Sequence, residues 1–131
     1  MRYILMMNLP PGTGDYQIKE WTPEEFRAHM EFMRQVNREL LDRGELVDVE
    51  GLAEPKETQV VRADANGAPL VTDGPFPETK EFLAGYWIVE VEGPERAQAI
   101  AAKISTAPGP GGAPVNQPVE IRRATDLRHN V

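Results

Sequence analysis

The chain has 131 residues, 40% of them hydrophobic and 27% charged, with a formal net charge of −7 and no cysteine. That is the size and balance of one globular domain, since single cores typically occupy about 100–150 residues. The lack of cysteine excludes disulfides, thiolate zinc sites and cysteine nucleophiles, and the acidic balance argues against nucleic acid, which needs a basic face.

Arg2 to Asn8 reads as a strand, apolar on both faces at its middle. It opens the chain without signal-peptide anatomy. The longest apolar run, Ile4 to Met7, is far short of the ~20 residues of a membrane span. A cytoplasmic, non-membrane protein is therefore expected. Leu9 to Trp21 holds two prolines and two glycines and reads as a loop. Its Gly-Thr-Gly lacks the spacing and the Lys-Ser/Thr of a phosphate loop.

A helix starts at Thr22, a good N-cap, with Pro23 at the first helical position and Glu25 placed for a capping box. Gly44 is its natural stop. Phe26, Met30, Met33 and Leu40 fall on one stripe at 3.6-residue spacing, Asn37 projects from the same stripe, and His29 lies on its flank with Val36.

Glu45–Leu52 and Thr58–Asp64 are strand-like, Asn66-Gly67 is the strongest hairpin signal, and Leu70–Thr72 returns as a short strand. Asp73-Gly74-Pro75-Phe76 must turn the chain. Leu83–Val91 is the most convincing strand. Gly93-Pro94-Glu95 opens a second helix reaching about Ser105, with Ala97, Ile100, Ala101 and Ile104 facing inward. Ala107–Pro118 is a Pro/Gly-rich loop, Val119–Arg123 a last strand, and 126–131 a frayed tail.

With one strand pair set aside as a hairpin extension, βαββαβ remains. The expected fold is α+β: a single domain over 1–131, a ferredoxin-like split βαβ sandwich with an antiparallel sheet and two helices on one face. Leu83, Trp87, Val89 and Val91 would fill one face of the central strand and Tyr86 and Ile88 the other. Helices cover only one of these faces, so a homodimer through the open sheet face is expected.

The block Val71-Thr72-Asp73-Gly74-Pro75-Phe76, then Glu78-Thr79-Lys80-Glu81 and Gly85-Tyr86-Trp87, resembles the DGPF-domain branch of the YCII-related proteins. The opening Arg2-Tyr3-Ile4-Leu5, the Leu46-Val47 pair after Gly44 and the closing Val119-Glu120-Ile121-Arg122 resemble it too. The resemblance implies a ferredoxin-like fold dimerising face to face, as in dimeric α/β barrels. It also implies a bacterial protein of a family without a general assigned activity. YCII-like proteins are suspected enzymes because of a helix histidine and a nearby aspartate; DGPF-type proteins often accompany extracytoplasmic-function sigma factors. Counting back three turns from Gly44 reaches Met33, so His29 stands one turn earlier than the family's helix histidine.

Among the candidate residues, an imidazole at His29 can give and take protons near neutral pH as a general base, or simply hydrogen-bond a neighbouring loop. Asp73 can be its orienting partner or an acid, or just begin a rigid turn that Gly74, Pro75 and Phe76 complete. These three turn residues and Asn37 are the candidate ligand contacts, with a bond to a strand-end carbonyl as the structural alternative for Asn37. Trp21 and Tyr16 would form a lid, or Trp21 would staple the helix start. No metal constellation stands out, and Ser105 lacks a partner histidine in sight.

Two functions are open. One is binding a small polar organic molecule, or acting on it by cofactor-independent proton transfer of lyase or isomerase type. The other is a non-enzymatic regulatory or accessory role beside a sigma factor.

Overall fold

The computed structural model describes residues 1–9, 21–73 and 81–125. Gly74, Pro75 and Phe76, Tyr16 and His129 lie outside the described residues. β1 spans Arg2–Leu9, α1 Pro23–Asp42, β2 Leu46–Gly51, β3 Gln59–Ala63, β4 Pro69–Asp73, β5 Phe82–Glu90, α2 Pro94–Ser105 and β6 Glu120–Arg123.

Local chemistry explains the helix boundaries. The Thr22 hydroxyl accepts from Glu25 N at 3.1 Å, and the Glu25 carboxylate accepts from Thr22 N at 2.8 Å. Two of the orphan donors at the start of α1 are thus satisfied reciprocally. Gly44 ends the helix at φ +71°, a left-handed conformation that costs glycine nothing. α2 begins at Pro94 after a Gly93 cap, and its buried side chains are Ala97, Ile100, Ala101 and Ile104, the four expected.

The α1 stripe is rotated from the expected one. His29, Val36 and Leu40 are its buried residues, Met33 is half-buried against the core, and Phe26 is 40% exposed. Positions 29, 33, 36 and 40 follow the helical period as well as 26, 30, 33 and 40 do, so periodicity alone does not choose between them.

The main sheet has the order β2-β5-β1-β6, antiparallel throughout. Setting β3 and β4 aside, this is the strand order of the ferredoxin-like split βαβ motif. Tyr3, Leu5 and Met7 of β1 and Trp87 and Val89 of β5 join Val36, Leu40 and the inward residues of α2 in one core. Burying a side chain such as Leu5, Val89 or Ile104 stabilises the fold by roughly 1.5–3 kcal/mol each. Alternation along the strands sends Ile4, Met6, Tyr86 and Ile88 to the opposite face, where they are half-buried.

Two irregularities shift side chains from their expected places. β1 pairs Met7 with Gly85 and Asn8 with Leu83, leaving Ala84 as an extra residue. Leu83 therefore leaves the Trp87 row and is 36% exposed. In β2, Leu46 opposes Val89 and Asp48 opposes Ile88, so Val47 bulges out.

β3 and β4 form a separate two-stranded sheet. At its tip the Asp64 carboxylate accepts from Asn66 N and Ala68 N, Gly67 N donates to Asp64 O, and Gly67 takes φ +82°. The Asn-Gly signal is thus realised as a β-turn ending on a left-handed glycine. Among the described residues, no helix is long and apolar enough to cross a membrane.

Candidate functional site

The segment after α2 folds back beneath the start of α1. Val115 N donates to Ala107 O, Asn116 N to Ser105 O, and Gly109 N to Ala113 O at 2.7 Å. The Ser105 hydroxyl donates to Gln117 O at 2.8 Å, so this serine anchors the segment. A short 3-10 turn, Pro110–Gly112, presents the loop to α1.

Two residues of α1 receive it. The Glu25 carboxylate, already bonded to Thr22 N, accepts from Gly111 N at 2.6 Å through its second oxygen. These backbone donors, Thr22 first and Gly111 second, hold the Glu25 carboxyl below its ordinary pKa. One turn on, His29 is 7% exposed, and its Nδ1 lies 2.9 Å from Pro108 O. A carbonyl can only accept, so Nδ1 carries the proton. The indole of Trp21 stands edge-on to the imidazole, with centroids 5.2 Å apart and planes at 77°. It also closes on the loop, since a Cβ on Gly109 would lie 3.6 Å from Trp21 Cζ2.

This arrangement fixes a tautomer. With Nδ1–H donated to Pro108 O, the neutral ring keeps its lone pair on Nε2. Nε2 hydrogen-bonds none of the described residues. The bond resembles the one that orients catalytic and metal-binding histidines, in which a backbone carbonyl holds one nitrogen and frees the other.

Asn37 and Asp73 form no hydrogen bond with this cluster. Asn37 Oδ1 accepts the Trp87 indole N–H at 2.8 Å, so its partner is a core side chain and not a strand-end carbonyl. Asp73 ends β4 opposite Gln59 and is exposed; no hydrogen bond joins it to His29, whose orienting acceptor is Pro108 O. On the open sheet face the Tyr86 hydroxyl donates to Asp48 Oδ2 at 3.1 Å. That bond, with burial and the nearby Asp48 and Glu50 charges, raises the Tyr86 pKa.

Sequence reasoning found His29 and Trp21 but missed what holds them. Glu25 was legible as a capping residue; its bond to Gly111 spans 86 residues and leaves no local signature. A backbone carbonyl such as Pro108 O has no residue-type signal at all. Among the described residues, no group of three or more His, Asp or Glu side chains converges as metal ligands do.

The sequence model of the YCII-related domain matches residues 1–113. The chain belongs to the YCII-related family. A curated relative, an uncharacterized protein of Rhizobium meliloti (strain 1021), is 29% identical over 107 residues, covering 82% of this chain and 86% of that protein. The span matched to the YCII-related domain contains Trp21, Glu25, His29 and the Pro108–Gly112 loop, and ends before β6.

Proposed function

We propose that this YCII-related chain binds a small polar organic molecule beside His29 and moves a proton on it, as a lyase or isomerase would. The observation that carries the reading is the buried imidazole, oriented through Nδ1 by Pro108 O, with an Nε2 that pairs with none of the described residues. Orienting the ring beforehand removes part of the cost of proton abstraction. In this reading Nε2 takes the proton and Trp21 shields the ring from water.

The test begins with a thermal-shift screen against small organic acids, amides and carbonyl compounds. A ligand at a hundred times its Kd adds about 2.7 kcal/mol, a shift of several degrees. Hits are then incubated with protein in D2O and followed by proton NMR, because reversible abstraction replaces C–H by C–D. His29→Asn keeps a donor for Pro108 O and removes the base. Exchange with the wild type that disappears in His29→Asn, at unchanged melting temperature, is the expected result. Exchange that persists in His29→Asn, or a screen without hits, overturns it.

A further inference from the structure

Glu25 and His29 stand about one turn apart on α1, so their side chains leave the same face of the helix. They take hold of one loop at two points. The Glu25 carboxylate accepts from Gly111 N at 2.6 Å, and His29 Nδ1 donates to Pro108 O at 2.9 Å.

The tip of that loop is cross-braced between these points. Gly112 N donates to Gly109 O at 3.0 Å, Gly109 N to Ala113 O at 2.7 Å, and Pro108 is bridged to Pro114. Pro108, Pro110 and Pro114 each have a fixed φ. The ends are secured elsewhere, by Val115 N on Ala107 O and by the Ser105 hydroxyl on Gln117 O. Among the described residues, the hydrogen bonds from the tip, 108–114, to other elements are the two to α1. A braced tip carries a constraint at Gly111 across to the Pro108 carbonyl.

The helix needs only one of the Glu25 oxygens. That one accepts from Thr22 N at 2.8 Å and completes the capping box, a task that glutamine performs as well. The second oxygen serves Gly111, outside the helix. In water a neutral imidazole prefers its proton on Nε2, the reverse of what Pro108 O imposes on His29. The tautomer therefore depends on where that carbonyl is held.

We propose that Glu25 is a positioning residue for His29. Its second oxygen holds Gly111, the tip holds Pro108 O, and the ring keeps its proton on Nδ1 and its lone pair on Nε2. The value of this for a reaction rests on the proton-transfer reading; the tautomer does not.

Long-range proton–nitrogen NMR of the labelled full chain, at a pH where imidazole is neutral, reads the tautomer from the ring-nitrogen shifts. His129→Gln separates the second histidine, and circular dichroism verifies folding. The wild-type His29 is expected to be mostly Nδ1–H. Glu25→Gln can accept from only one of the two backbone donors, and Glu25→Ala from neither. Both are expected to shift the ratio toward Nε2–H by roughly two- to tenfold, the net worth of one hydrogen bond. Thr22→Ala weakens the same cap but leaves both Glu25 oxygens, so it is expected to lower the melting temperature without moving the ratio. A ratio that moves in neither Glu25 variant overturns the proposal. So does a Thr22→Ala shift as large as theirs, which would make cap stability the cause. A wild-type ring with its proton on Nε2 overturns this proposal and the proton-transfer reading together, whereas the ligand screen bears on proton transfer alone.

Discussion

Trp87 buries its indole at 6% exposure, and a buried N–H needs an acceptor. Asn37 supplies it from α1, tying the helix to the central strand at one polar point inside an apolar layer. Removing only the acceptor strands the donor, which costs about 1–3 kcal/mol. Asn37→Ala is therefore expected to lower stability by about 2 kcal/mol in urea unfolding. Asn37→Asp, which keeps an oxygen in place, is expected to lose less. Ligand-induced shifts should be the same in Asn37→Asp as in the wild type, because the amide oxygen is already engaged by the Trp87 indole. The sequence showed a polar residue on an apolar stripe that needed a partner; which partner was invisible, because Trp87 is 50 residues away.

The contact between β2 and β5 is closer than side-chain packing alone would set. Gly85 faces Gly51, and a Cβ on Gly85 would lie 2.8 Å from the backbone oxygen of Glu50. That oxygen belongs to the strand itself, so the clash is relieved only by pushing β2 outward. Gly85→Ala is expected to destabilise by about 1–3 kcal/mol, as overpacking does, and to speed amide exchange along β2 before β1. The glycine stands in the sequence within Gly85-Tyr86-Trp87, but its reason is a distance between strands. Caps and the α2 stripe were legible because they depend on neighbours within one or two turns. The bulges at Val47 and Ala84 depend on strand register, which the chain sets only when the sheet closes, and the one at Ala84 moved Leu83 out of its expected row.

At the scale of the molecule, the excursions from the βαββαβ frame are the loop under His29 and the hairpin beyond the sheet. The frame itself was readable because its signals are periodic. His29 was readable as a residue type, while its setting was not, since a carbonyl and an amide from the far end of the chain build it. One charged junction ties α1, β2 and α2 within this frame. Glu45 follows the glycine that ends α1; its carboxylate accepts from Arg96 at 2.7 and 2.8 Å and from Arg43 at 2.8 Å, with its side chain 12% exposed. The Arg96 bonds first, then Arg43, hold its carboxyl below the ordinary value of 4.5, against the opposing effect of burial. A folded pKa below the unfolded one means that the unfolded chain takes up the proton first. The contribution is complete above the unfolded value and is lost as pH falls through the folded one. Glu45→Gln is therefore expected to be less stable than the wild type by about 2 kcal/mol near neutral pH. The difference should shrink once the pH drops below the ordinary carboxylate range, because the wild type then carries a neutral acid at the same place. Urea unfolding of both proteins across that range measures it. A difference that stays constant down to acid pH would mean that Glu45 acts through packing and not through its charge.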